Sequence, residues 1–128
     1  MSLKLLIVDD ESHIRSLIEQ TLEELEDDGV DFFTAENGEQ ALEIIRTENP
    51  QLVFLDVMMP KMNGMEVCRR VKKELNMEDV YIVLLTAKGQ ELDRIKGQEV
   101  GADVYITKPF DPESLLQKAK EVLGIPAG

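Results

Sequence analysis

Cysteine is almost missing from this chain. Cys68 stands alone, so no internal disulfide can form, which agrees with a reducing compartment. Basic residues are scarce as well: 14 Lys and Arg face 26 Asp and Glu, a formal charge of -12. So acidic a surface repels nucleic acid and anionic membranes over most of its area. No stretch approaches the ~18 consecutive apolar residues of a membrane span. The start, Met1-Ser2-Leu3-Lys4, lacks a charged region followed by a long apolar stretch, so no secretory signal is expected and the cytoplasm is the default. No low-complexity tract or internal linker breaks the chain.

The composition is that of a globular protein, 43% hydrophobic and 31% charged over 128 residues, enough for one domain with one sizeable core. Short apolar runs over 4–8, 51–55, 80–85 and 104–107 read as strands buried on both faces, and Val30 to Ala35 reads as a mixed edge strand. Between them the apolar spacing turns helical. The stripes are Ile14, Leu17, Ile18, Leu22 and Leu25; Ala41, Leu42 and Ile45; Val67, Cys68, Val71 and Leu75; a weaker fourth with Leu92, Ile95, Glu99 and Val100; and Leu115, Leu116, Ala119 and Leu123. Five strand-helix repeats imply parallel strands with right-handed crossovers. A chain of this length suits a doubly wound open α/β sheet, since a barrel needs about 250 residues. The expected core is 3–123, within a single domain over 1–128. The stretch 124–128 reads as a helix stop and coil, either a natural end or the start of a linker.

Asp9, Asp10, Asp56, Thr86 and Lys108 fall at or just after the expected strand C-termini. In open parallel sheets that edge is where ligands bind. Hard oxygen donors there suit Mg2+, which accepts one or two carboxylates and keeps several waters. Crowded carboxylates need a cation, or the ammonium of Lys108, to offset their repulsion.

These residues carry a resemblance. The chain resembles the receiver domain of two-component response regulators over essentially its whole length. The motifs are Val8-Asp9-Asp10-Glu11, 55–64 from Leu55-Asp56 to Asn63-Gly64, Leu85-Thr86-Ala87, Gly101-Ala102-Asp103 and Lys108-Pro109-Phe110. The resemblance implies a flavodoxin-like five-stranded sheet of order 2-1-3-4-5 with five helices. It implies Asp56 as phosphoacceptor, taking the phosphoryl group from a phosphohistidine of a sensor histidine kinase or a histidine phosphotransfer protein. Mg2+ (or Mn2+) would be held by Asp10, Asp56 and the Met58 backbone carbonyl, with Asp9 acting through a water. Lys108 pairs with Asp56 and then with a phosphoryl oxygen, Thr86 donates its hydroxyl to that group, and Tyr105 turns inward when Thr86 moves. Pro109 follows a cis peptide bond, and Gly64 supplies the turn beyond the phosphoacceptor loop. Met58 and Lys88, each two positions after a site residue, tune hydrolysis. The implied protein is a phosphoprotein switch and no enzyme, beyond its own phosphorylation and slow dephosphorylation. Its effector stays unnamed.

The resemblance also brings a phosphorylation-dependent homodimer through the fourth helix, fifth strand and fifth helix. Against it, Val104 stands where a second acid is usual after Asp103, and only Lys118 and Lys120 replace the usual arginines.

Plainer readings exist for single residues. Asp9-Asp10-Glu11 alone could open a helix, where acids favour the dipole. Cys68 lies on a core stripe and reads as buried and inert. His13 lacks a ligand partner at suitable spacing and reads as exposed. Met58-Met59 reads as loop packing, and the acids over 23–28 as a solvated helix end. Two other functions share the fold. A flavin module needs a phosphate cradle after the first strand, and Asp9-Asp10-Glu11-Ser12 repels phosphate. An aspartyl phosphatase needs a second acid two residues past its nucleophile, where this chain has Met58.

Overall fold

A computed structural model describes residues 3–87, 99 and 101–126. Five strands, β1 (Leu3–Val8), β2 (Val30–Ala35), β3 (Leu52–Asp56), β4 (Tyr81–Ala87) and β5 (Val104–Lys108), form one parallel sheet of order β2-β1-β3-β4-β5. The described helices are α1 (Ser12–Thr21), α2 (Gly38–Glu48), α3 (Gly64–Arg69) and α4 (Pro112–Leu123). The fourth apolar stripe of the sequence and Lys88 lie outside the described residues, apart from Glu99. Helix α4 is thus the fifth stripe.

Side chains alternate across the sheet with period two. Leu6, Val8, Val53, Leu55, Ile82 and Leu84 join Ala41 and Ile45 of α2 and Val67 and Cys68 of α3 in one core. Leu5, Ile7, Leu52, Phe54, Val83 and Leu85 join Ile18 of α1 and Leu115, Ala119 and Leu123 of α4 in the other. The central strands β1 and β3 are buried on both faces because helices cover both.

Three expectations need correction. β5 is only partly buried along its length rather than buried on both faces, as suits the edge place that the order 2-1-3-4-5 gives it. Leu17 is 44% exposed and Leu75 37% exposed, although both stand on apolar stripes. The reason at Leu75 is a π-type turn over Arg70–Glu74, where the Leu75 N–H donates to the Arg70 carbonyl at 2.8 Å. An extra residue per turn rotates Leu75 outward and brings Lys72 in, 7% exposed. The acidic stretch is also a separate 3₁₀ segment, Glu23–Asp28, with Leu25 buried, closed by Gly29 at φ +83°. Its acids face solvent, as expected.

Lys72 is a buried cation that the sequence pattern does not reveal. Its Nζ donates to the carbonyls of Glu78 (3.0 Å) and Val80 (2.6 Å) and to Asp103 Oδ2 (3.0 Å). Asp103 Oδ2 also accepts from the Ile82 N–H at 2.8 Å. This network ties the π-type turn that follows α3 to the starts of β4 and β5.

Gly38 opens α2 directly against the loop after β3. A Cβ at Gly38 would overlap the Met62 carbonyl oxygen. Gly29, by contrast, has open space and only its positive φ to satisfy. Gly38→Ala is therefore expected to cost about 2–3 kcal/mol by overpacking, against about 1 kcal/mol for Gly29→Ala. Urea unfolding of both variants checks the order; equal losses would contradict the close approach.

Candidate functional site

The period-two alternation that builds the core also builds the site. Asp9 continues the register of Leu5 and Ile7, Asp56 that of Leu52 and Phe54, and Lys108 that of Val104 and Ile106. All three therefore project on the α1 and α4 side at the C-terminal edge of the sheet. There Lys108 Nζ donates to Asp9 Oδ2 at 2.9 Å and to Asp56 Oδ1 at 3.0 Å. Asp9 and Asp56 are buried. The expected pairing of Lys108 with Asp56 is present, and Asp9 shares the same ammonium. The Lys108–Pro109 peptide is cis.

Asp9 is also held at its other oxygen, where Oδ1 accepts from the Glu11 N–H at 3.0 Å. Asp10 and Glu11 are exposed beside it. Carboxylate oxygens of Asp9, Asp10 and Glu11 lie within 4.8 Å of one another. Burial pushes the Asp56 carboxyl up to about 6, against the downward pull of the Lys108 hydrogen bond; the Asp9 charge, and more weakly Asp10, add to the rise. Burial alone would lower Lys108, but its hydrogen bonds to Asp9 and Asp56 and their charges carry it above its ordinary value.

This site fits a divalent cation. It offers hard oxygen donors from the converging acids Asp9, Asp10 and Glu11, and the charges of Asp9 and Asp10, which add to the rise that burial causes at Asp56, are ones a cation would offset.

Thr86 and Tyr105 lie on the opposite side of the sheet. Thr86 follows the register of Ile82 and Leu84, is buried, and pairs in register with Thr107. Tyr105 pairs with Leu84, two positions back, and packs against the α2 and α3 core with its hydroxyl buried. The two thus share one face on adjacent strands. Gly64 starts α3, and a Cβ there would overlap the Asp56 carbonyl oxygen, so α3 begins directly against the end of β3. Asn63 caps α3 through the Glu66 N–H at 2.9 Å. Gly38 belongs to the same packing and was not expected from the sequence; only contact across the fold reveals it.

The Met58 side chain is 63% exposed, which corrects its reading as loop packing; Met59 does pack against the core. Cys68 is buried, and burial pushes its thiol up to about 12. His13 is exposed, 3.4 Å from Glu11. Lys118 and Lys120 pair within the chain, with Glu121 (3.5 Å) and Glu24 (3.0 Å).

Fold and site define the class: a doubly wound α/β domain with an acidic, lysine-bridged pocket at the C-terminal edge of its sheet. Residues 5–120 match the response regulator receiver domain, and the chain belongs to that family, the phosphorylation-activated switches of two-component signalling. It is 49% identical over 120 residues to "Probable transcriptional regulator ycf27" of Porphyra purpurea, covering 94% of this chain and 47% of that protein. To the alkaline phosphatase synthesis transcriptional regulatory protein PhoP of Bacillus subtilis it is 44% identical over 123 residues, covering 96% and 49%. Among solved structures it is similar to the response regulator DrrB, an OmpR/PhoB homologue of Thermotoga maritima. That match has a TM-score of 0.81 and 36% identity, and covers 97% of this chain and 54% of that one. The chain spans about half the length of the curated relatives it matches. Among the described residues no helix is long and apolar enough to cross a membrane.

The raised carboxyl has a consequence for stability. Without a cation, native Asp56 binds its proton up to about pH 6, whereas the unfolded group releases it near 3.8. Stability is therefore lost as pH rises from about 4 through 6. Asp56→Asn is expected to stabilise the cation-free protein by about 1–3 kcal/mol at pH 7, the order of two pKa units, and by almost nothing at pH 4. Denaturant titrations in EDTA at both pH values check this; a destabilised variant at pH 7 would contradict it.

Proposed function

We propose that Asp56 is the phosphoacceptor of this receiver domain. The observation that carries the reading is the single ammonium of Lys108 shared by Asp9 and Asp56 at 2.9 and 3.0 Å. Phosphoryl transfer asks for charge neutralisation and alignment rather than covalent help. Lys108 orients the acceptor oxygen before transfer and can move its hydrogen bond to a phosphoryl oxygen afterwards. Asp10, Asp56 and the Met58 carbonyl, with Asp9 through a water, would hold Mg2+ or Mn2+. When bound, the cation would supply positive charge against the negative charge that gathers at the acceptor during transfer.

The donor is the phosphohistidine of a sensor histidine kinase or histidine phosphotransfer protein. The new group brings up to two charges and three acceptor oxygens. Thr86 moves to donate to one of them, and the space it vacates on its face of the sheet is taken by Tyr105, one strand away. That change alters affinity for a downstream effector. The domain turns over no other substrate, so it is a switch rather than an enzyme.

The named relatives are transcriptional regulators about twice as long, which favours control of transcription as the output. At a net charge of -12 the receiver itself is not the part that contacts DNA. A cytoplasmic setting follows from that role. The flavin and phosphatase readings gain nothing here: the loop after β1 is acidic, and Met58 occupies the second-acid position.

With acetyl phosphate and Mg2+, the wild type is expected to become an acid-labile phosphoprotein and Asp56→Asn to take up no phosphate. Uptake at the normal rate by the variant would place the site elsewhere. Thr86→Ala is expected to accept phosphate yet lose the beryllofluoride-induced gain in partner capture; an undiminished gain argues against the switch. The exposed Met58 thioether cannot direct an attacking water by a strong hydrogen bond, so self-dephosphorylation is slow. Met58→Asn is expected to shorten the phosphoprotein half-life several-fold, read from the decay of the labelled protein; an unchanged decay removes the role of Met58.

A further inference from the structure

Arg15 stands in the first turn of α1, outside the residues assigned to the pocket. A cation there opposes the helix dipole, so the stability of α1 does not account for it. Its half-buried side chain reaches back instead: Nη1 donates to the backbone carbonyl of Asp9 at 2.6 Å. The other polar atoms of Asp9 are engaged too. Its N–H donates to the Ala35 carbonyl at 3.2 Å, Oδ1 accepts from Glu11, and Oδ2 accepts from Lys108. The acidic tripeptide Asp9-Asp10-Glu11 is therefore tied to β2, to β5 and, through Arg15, to α1. Three carboxylates within 4.8 Å of one another repel, and a held backbone limits how far that repulsion can splay them apart.

We propose that Arg15 is a positioning residue: by gripping the Asp9 carbonyl it fixes the Asp9-Asp10-Glu11 loop and thereby sets the affinity of the pocket for a divalent cation. This rests on the reading of the pocket as a cation-dependent phosphoacceptor site. Two effects of Arg15 on a cation have opposite signs. Its charge repels the ion, so charge alone predicts tighter binding once Arg15 is removed. Its hydrogen bond preorganises the ligands, so positioning predicts weaker binding. A half-buried charge is screened by solvent and salt. A misplaced ligand loop loses its geometry at any ionic strength, and groups that orient metal ligands commonly carry tenfold or more in affinity.

The test is calorimetric titration of the whole chain with MgCl2, for wild type, Arg15→Ala and Arg15→Lys, with melting in EDTA recorded beside it. Arg15→Ala is expected to raise the Mg2+ Kd roughly tenfold. Arg15→Lys keeps a donor of similar reach and is expected to recover part of that loss. A lowered melting temperature with an unchanged Kd would show a merely structural role and overturn the proposal, as would tighter binding by Arg15→Ala or no recovery with lysine. If the wild type binds no Mg2+, the cation reading of the pocket falls and this inference falls with it. Binding by the wild type with equal Kd in Arg15→Ala overturns this inference alone.

Discussion

One ammonium holds the working edge of this molecule together. Lys108 at the end of β5 reaches across to Asp56 at the end of β3 and to Asp9 just past β1. Three strands that are distant in sequence thus converge on one charge. Each partner alone would be costly to bury, and together they offset one another only in part. Burial outweighs the lysine at Asp56, whose carboxyl sits near 6, with the neighbouring charge of Asp9 adding to the rise. The acids beside Asp56 are the hard oxygen donors of this edge, and Lys108 sets the orientation of the Asp56 carboxyl.

The rest of the fold keeps that edge in place. Gly38 and Gly64 let α2 and α3 begin against the loop after β3, so the backbone around Asp56 is clamped by helices rather than left to solvent. At the other end of the sheet, Lys72 and Asp103 join the π-type turn after α3 to the starts of β4 and β5. Since Thr86 and Tyr105 occur further along these same two strands, the register fixed by Asp103 also fixes how the two residues face each other. Arg15 performs a related task on the acidic loop.

Much of the site was legible because strand ends are easy to find. Apolar runs that stop at Asp9, Asp56 and Lys108 locate the C-terminal edge, and family resemblance supplies roles for the residues there. Cys68 and His13 also sit as their surroundings in the sequence suggest. The misreadings share a cause. Val104 to Thr107 is apolar enough to read as buried on both faces, but β5 is only partly buried at its edge place. Leu75 fits a 3.6-residue period, but the π-type turn shifts the buried face onto Lys72. Gly38 and Arg15 matter through backbone atoms of residues far from, or several places before, their own positions, and no side-chain pattern records that.

Local chemistry therefore belongs to the sequence: alternating strands and helices, an acidic surface, carboxylates and a lysine at strand ends. These follow from residue type and period, which are short-range properties. Tertiary structure alone decided which lysine is buried, and that Asp9 shares the ammonium of Lys108 with Asp56. Such outcomes depend on which backbone atoms meet across the sheet, and that is settled by packing the whole chain at once.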